Sequence, residues 1–331
     1  MPKGFSLKAS VLPGYMLVSN HPDKGHSMRI GAIDIGGTKI AIGIVDETGR
    51  VLARSECPTE AHKGLQAGLN RMVVMLRQAE METGVPIQGI GIGCTGPVMP
   101  ELGTIGDVEF LPGWEGANLV AELSGIFQVP AAIENDADAA ALGEWAWGAG
   151  RGTRSFLLIT VGTGIGGGIV LDGKLYRGVN GSHPEVGHHV VDPTGPLCFC
   201  GAQGCWESLA SGPGMERWAQ SNHPQEEWRS ARQLCTAAEQ GDPLAKTAVE
   251  RTARYLGLGM ANLVTLFSPD MIALGGGLLQ SYHLFRDTIK DTIHANCGLV
   301  PHHLVKVIPA TLGDRVGLVG AARVWYNRWS G

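Results

Sequence analysis

Apolar residues dominate Arg29-Ile-Gly-Ala-Ile-Asp34-Ile and stop at Gly36-Gly-Thr-Lys39, a run that predicts a strand entering a glycine turn. Alternation resumes over residues 40–45, Asp46-Glu-Thr-Gly49 supplies a turn, and Val51-Leu-Ala-Arg54 begins a third strand. These three strands predict an antiparallel meander rather than a βαβ unit. Apolar positions at helical spacing predict a helix over 65–83. Gly89-Ile-Gly-Ile-Gly93 reads as a buried strand ending at Thr95-Gly96-Pro97. Val129-Pro-Ala-Ala-Ile133 reads as another, ahead of an alanine-rich helix over 137–148.

The pattern then repeats. Phe156-Leu-Leu-Ile-Thr-Val161 enters Gly162-Thr-Gly-Ile-Gly-Gly-Gly168, Ile169-Val-Leu171 continues as a strand, and Asp172-Gly173 is a hairpin turn. Helices follow near 231–240 and 243–267. Met271-Ile-Ala-Leu274 is a strand ending at Gly275-Gly-Gly277, and 317–329 is a closing helix. Two halves that each begin strand, glycine turn, strand, hairpin imply a duplicated α/β fold with a central cleft. The expected first lobe spans 29–150, completed by 315–331, and the second spans 151–314. Residues 1–28 lack periodicity and are expected to be a loosely ordered extension, with Met28 a candidate start.

Composition narrows the class. The chain has 331 residues, 44% hydrophobic and 17% charged, enough apolar material for two lobes. A net charge of −5 provides no basic footprint for nucleic acid. No run approaches the length of a membrane span. Pro13 and Gly14 interrupt the only apolar stretch near the start, so no signal peptide is expected. Seven unevenly placed cysteines argue against a disulfide framework and for a reducing, cytoplasmic compartment.

Three of those cysteines, Cys198, Cys200 and Cys205, fall within eight residues, with His188 and His189 ten and nine positions before the first. One imidazole and three thiolates suit a tetrahedral zinc site, which with four protein ligands is closed and structural. An apolar cluster or a redox pair is the alternative. Glu185 and Glu207 flank this segment, either as ordinary surface charge or as groups that grip a ligand.

Each glycine cluster follows an apolar strand, where backbone amides can approach a ligand closely. Asp34-Ile-Gly-Gly-Thr-Lys39 sets a carboxylate, a hydroxyl and a cation around a turn open to phosphate. The second cluster matches neither a Walker A loop nor a dinucleotide fingerprint, because it turns back into a strand. Either alone is a hairpin bend; with Gly275–Gly277 they favour a nucleotide. Asp136, ahead of the alanine-rich helix, is a candidate N-cap and equally a candidate general base.

From Arg29 onward the chain resembles bacterial sugar kinases of the ROK family, within the actin/hexokinase superfamily, and most of all the family's glucokinases. The resemblance rests on Asp34-Ile-Gly-Gly-Thr-Lys39, Glu134-Asn-Asp136, residues 160–168, Glu185-Val-Gly-His188 and the run Cys198-x-Cys-Gly-x-x-Gly-Cys205-x-Glu207. It implies a two-lobed, actin-like ATPase fold of ribonuclease-H-like topology, with ATP and Mg²⁺ in the cleft and the sugar beneath. It implies that Asp136 is the base, and that Gly96, Asn135, Glu185, His188 and Glu207 contact the sugar. The implied nucleotide contacts are Asp34, Gly36, Gly37, Thr38 and Lys39 at the terminal phosphates, Thr163 and Gly164 at the β-phosphate, and Gly276 and Gly277 at the adenosine. The implied zinc ligands are His188, Cys198, Cys200 and Cys205. Pro97-Val98 and Leu111-Pro-Gly-Trp114 resemble glucokinases more than N-acetylmannosamine kinases, which leaves N-acetylmannosamine, N-acetylglucosamine, fructose and a polyphosphate donor as alternatives. Asn118 is a sugar contact or a helix cap.

The family also includes sugar-responsive repressors, which carry a helix-turn-helix ahead of the first strand. Residues 1–28 show no such pattern. A homodimer is implied, with Trp206 and Trp218 either exposed at its interface or packed in a core.

Overall fold

The computed structural model describes residues 28–226 and 228–329. Of the expected extension, only Met28 falls within them, packed against the first-lobe core; residues 1–27 lie outside the described residues.

The chain opens with the meander β1 (Arg29–Ile35), β2 (Lys39–Asp46) and β3 (Val51–Pro58), followed by α1 (Leu65–Thr83) and β4 (Gly89–Cys94). A two-stranded ribbon, β5 (Val98–Met99) with β6 (Thr104–Ile105), precedes α2 (Leu119–Phe127), β7 (Ala131–Asn135) and α3 (Asp136–Trp147). These strands form a sheet ordered β3-β2-β1-β4-β7, antiparallel through the meander and parallel from β1 to β7.

The second half adds β8 (Phe156–Val161), β9 (Ile165–Leu171), β10 (Lys174–Leu175), α4 (Trp206–Ala210), α5 (Gly212–Asn222), α6 (Ala231–Glu239) and α7 (Pro243–Phe267). It continues with β11 (Met271–Gly275), α8 (Tyr282–Asn296) and β12 (Lys306–Pro309), and ends in α9 (Val316–Trp329). Its sheet runs β10-β9-β8-β11-β12, the same succession of two antiparallel and two parallel pairings. The duplication expected from the sequence is thus a duplicated sheet topology.

Alternation sorts residues between two covered faces. In β4, Ile90 and Ile92 point into a core shared with Leu69, Met72 and Leu76 of α1. The glycines between them face the other way: a Cβ on Gly89 would collide with Trp325, and one on Gly91 with the Ala321 carbonyl. Glycine lets α9 lie flush on the sheet, where Leu318, Ala321, Ala322 and Trp325 bury themselves. Each large apolar side chain so buried contributes about 1.5–3 kcal/mol. The second core gathers α6, α7 and α8 against β8, β9 and β11, with Leu256, Met260, Phe285 and Ile289 fully covered.

The chain passes between the sheets twice, once after α3 and once between β12 and α9. Glu144, fully buried in α3, joins both passages. It accepts from the Ala149 amide at 2.8 Å, and from the Thr311 and Leu312 amides at 2.9 and 2.7 Å. The Thr311 hydroxyl adds a fourth donor at 3.2 Å. Among the described residues no helix is long and apolar enough to cross a membrane.

Candidate active site

The carboxyl ends of the parallel strands, where open α/β sheets present ligands, face one cavity of about 1240 Å³ between the sheets. That exceeds the roughly 300–1,000 Å³ of an ordinary small-molecule pocket, leaving room for two ligands side by side.

Strand register builds the floor. Asp34, Gly93 and Glu134 stand in one row across β1, β4 and β7, and the chain turns from β7 directly into α3 at Asp136. Asp34 and Asp136 converge beside Gly93: a Cβ there would meet the Ala139 Cβ at 3.3 Å and lie 3.8 Å from both Asp34 Oδ1 and the Asp136 Cα. Burial, then the neighbouring Asp136 charge, push the Asp34 carboxyl up to about 6. Burial also raises Asp136, against the Ala137 amide and His183, which pull the other way.

The helix cap expected at Asp136 is one residue earlier. Asn135 Oδ1 accepts from the amides of Ala137 at 2.9 Å and Asp138 at 3.3 Å, while its Nδ2 donates to the Gly96 carbonyl at 3.3 Å. Asn135 has the extended backbone an N-cap requires, so Asp136 becomes the first helical residue and its side chain stays at the cavity wall. Asn118 is a cap too: it holds the Ala121 amide at 2.8 Å and does not line this cavity.

The glycine turns divide. Of the residues implied for the nucleotide, Asp34, Thr163, Gly164 and Gly276 line the cavity, whereas Gly36, Gly37, Thr38, Lys39 and Gly277 do not. The first turn closes on itself through the Gly36 amide and Lys39 carbonyl at 2.9 Å. Phe110 stands against Gly37, where a Cβ would lie 2.8 Å from the phenylalanine Cβ. Lys39 is drawn to Glu56, Nζ to Oε1 at 3.0 Å. At the second turn, Glu207 Oε2 accepts the Ile165 amide at 2.8 Å, and a Cβ on Gly164 would come within 2.5 Å of that oxygen. Only glycine admits the glutamate there.

Glu207 belongs to the first turn of α4, two residues after Cys205, so the cysteine segment and the glycine turn meet through it. His188, Cys198, Cys200 and Cys205 bring their ligand atoms within 4.8 Å of one another. His188 Nδ1 lies 3.6 Å from Cys198 Sγ, and the sulfurs of Cys200 and Cys205 are 3.5 Å apart. Edges of about 3.5–3.8 Å are those a tetrahedron with ~2.3 Å metal–sulfur bonds would have. The donor set fits zinc. Trp206 anchors the segment from below: it is fully buried, with Nε1 donating to the Tyr255 carbonyl at 2.8 Å. Trp206 is therefore core rather than an exposed interface residue, and Trp218 packs against the same core. Glu185 and His188 both line the cavity, so the imidazole faces the thiolates on one side and the ligand space on the other.

Part of the wall comes from residues that the sequence pattern does not single out. Arg177, from the loop after β10, pairs with Glu134 and with the fully buried Asp138 of α3. His183 Nδ1 meets Asp138 Oδ2 at 2.7 Å, and both Arg177 and His183 line the cavity. The available signal was the spacing Glu134-x-Asp136-x-Asp138, which sets three acids at one strand–helix junction. From the end of the chain come Asp314, held by Arg54 at 2.6 Å, and Gly317, beside Asp34.

Residues 30–328 match the model of the ROK family. A glucokinase of Streptomyces coelicolor is 37% identical over 308 residues, covering 88% of this chain and 95% of that protein. The ROK hexokinase of Thermus thermophilus superposes with a TM-score of 0.80 at 34% identity, covering 92% of this chain and all of that one. A ROK family glucokinase from Streptomyces griseus, solved with glucose and AMPPNP, superposes with a TM-score of 0.71 at 34% identity, over 89% of this chain and 98% of that one.

Proposed function

The chain belongs to the ROK family and is a sugar kinase, and we propose that it transfers the γ-phosphoryl of ATP to the 6-hydroxyl of glucose. The observation that carries this reading is the partly buried pair Asp34 and Asp136 beside Gly93, facing a glycine turn across a cavity sized for two ligands. The glucokinases among its relatives support glucose.

In this reading Asp136 takes the proton of the attacking hydroxyl. Burial, and after it the Asp138 charge, raise its carboxyl above the ordinary range, the direction that favours a carboxylate base. The sugar lies among Gly96, Asn135, Glu185, His188 and Glu207. Carboxylates accept from vicinal hydroxyls, which orients the sugar rather than merely attracting it. The phosphates lie along Asp34 and Thr163–Gly164, with the adenosine toward Gly276. Two buried acids short of counter-charge fit a Mg²⁺–nucleotide, and Mg²⁺ would supply the charge that offsets the phosphates. Asp34 would hold or orient that ion. Zinc on His188, Cys198, Cys200 and Cys205 would be structural, keeping Glu185 and Glu207 at fixed separation. We further propose a cytoplasmic homodimer with the first lobe formed by 29–150 and 315–331.

An ADP-release assay over glucose, mannose, fructose, N-acetylmannosamine and N-acetylglucosamine, repeated with polyphosphate, tests the proposal. Glucose with ATP is expected to show the highest kcat/KM. Absence of hexose phosphorylation, or a preference for an N-acetyl sugar, defeats it. Metal analysis of the purified protein is expected to find one zinc per chain, and chelation to weaken glucose binding and lower Tm together.

A further inference from the structure

Behind the cavity wall, Glu134, Arg177, Asp138 and His183 form one buried charged chain. Asp138 is wholly inaccessible, and its Oδ2 takes both the Arg177 guanidinium and the His183 Nδ1 at 2.7 Å. Arg177 is always charged, and it turns the other edge of its fork to Glu134. Facing a guanidinium, Asp138 acts as an acceptor, so the proton in its contact with His183 sits on Nδ1. This fixes the ring in one orientation and one tautomer, as carboxylates do for imidazoles in metal and catalytic sites.

The other ring nitrogen is the informative atom. No hydrogen bond among the described residues engages His183 Nε2, and it is not among the buried, unpartnered polar atoms. His183 lines the cavity on the same loop as Glu185, along with Asp136, whose carboxyl its charge draws down. Burial works against protonation of the ring, yet the hydrogen bond to Asp138 and the charges of Asp138 and Glu185 hold it above its ordinary pKa. With Nδ1 engaged by Asp138, Nε2 is the ring atom left to meet a ligand in the cavity.

Resting on the kinase reading above, we infer that His183 is a sugar-contacting, specificity-determining residue whose Nε2 hydrogen-bonds a hydroxyl of the hexose, with Asp138 and Arg177 as its positioning residues. The chemistry is complementary to the glutamates. Glu185 and Glu207, as carboxylates, only accept, so a sugar hydroxyl that gives its proton to one of them retains lone pairs for a donor. With the ring protonated, a hydroxyl set between Glu185 and His183 is read twice, once as donor and once as acceptor. A deoxy sugar satisfies neither partner, and a deoxyfluoro sugar cannot donate to the carboxylate. Sites that hydrogen-bond a substrate hydroxyl discriminate strongly because the unmatched analogue leaves buried polar groups unpaired.

The test uses purified full-length protein, glucose and its single-position deoxy analogues, with binding read by calorimetry and turnover by ADP release. His183→Ala is expected to raise the Kd and KM for glucose about tenfold or more, with the KM for ATP changed less than about twofold. One deoxy analogue, disfavoured by the wild type, should lose most of that disadvantage in the variant. His183→Gln, which restores a hydrogen-bonding group near Nε2, should recover part of the affinity. Asp138→Asn, which leaves the ring unoriented, should reproduce the glucose effect more weakly with the fold intact by circular dichroism. An Ala variant with wild-type glucose affinity and wild-type discrimination among the deoxy sugars overturns the inference, even with hexokinase activity present. A wild type that binds and phosphorylates no hexose instead overturns the kinase reading, whatever the variant does.

Discussion

The two ends of α3 both bury a carboxylate and treat it in opposite ways. At the amino end, Asp136 meets the Ala137 amide at 2.8 Å and shares its surroundings with Asp34, so burial raises both. At the carboxyl end, where the helix dipole disfavours a negative charge, Glu144 is surrounded by four donors, one from the turn just after the helix and three from the distant Thr311–Leu312 segment. A buried charge supplied with donors fastens structure together. A buried charge left short of donors stores unfavourable free energy that a cation or a departing proton can relieve, which is the property a phosphoryl-transfer site uses.

Replacing each carboxylate sharpens or breaks that contrast. The largest effect is expected at Asp136→Asn, which keeps the shape and removes the base. Its kcat should fall about 10³-fold, with glucose Kd within a few-fold of the wild type. Near-normal turnover with sugar binding retained would remove Asp136 from the chemistry. Next comes Glu144→Ala, which strands three amides and a hydroxyl at the two passages between the sheets. Urea denaturation should show a loss of about 3–5 kcal/mol. An unchanged midpoint would mean the two passages do not depend on that contact.

Asp34→Asn should act in the reverse sense on stability. Its carboxyl sits near 6 in the folded protein against an ordinary 3.8, so the folded state favours the proton. The stability linked to this group is full below about 3.8 and is lost as pH rises through about 6. Removing the charge should therefore raise the unfolding free energy above pH 6 by about 2–3 kcal/mol, the equivalent of the two-unit shift, and by nearly nothing at pH 4. Activity should drop sharply in the same protein, the opposition expected where a strained charge serves function. An Asn variant no more stable than the wild type at pH 8 would place Asp34 among the satisfied charges.

Much of this was legible in the chain. The helix expected over 65–83 is α1, residue for residue, because its apolar spacing agrees with the face it buries. The strand–glycine–strand repeat announces two sheets because both meanders need the same turn chemistry. What sequence spacing could not reveal is which glycine turn opens to the cavity. Residues 34–39 and 162–168 look alike as strings, yet Phe110, brought in from beyond the β5–β6 ribbon, stands against the first. The His183–Asp138 contact bridges 45 positions, so no local pattern announces it. The cap moved from Asp136 to Asn135 because β7 runs two residues further than its apolar run suggests. Neighbouring cap-forming residues are separated only by where the strand ends.

One feature bears on the order in which this protein can assemble on the ribosome. Chains generally fold from the amino terminus as synthesis proceeds. Here the sheet of β1 and β4 keeps one face bare until Leu318, Ala321, Ala322 and Trp325 arrive from the far end. Residues 156–309 form their sheet and helical core from a continuous stretch of chain, so the later half can finish first. The half made first must then wait with Ile30, Ala32 and Val45 uncovered until α9 emerges. That interval is when this chain is most open to aggregation and to the cell's quality-control machinery.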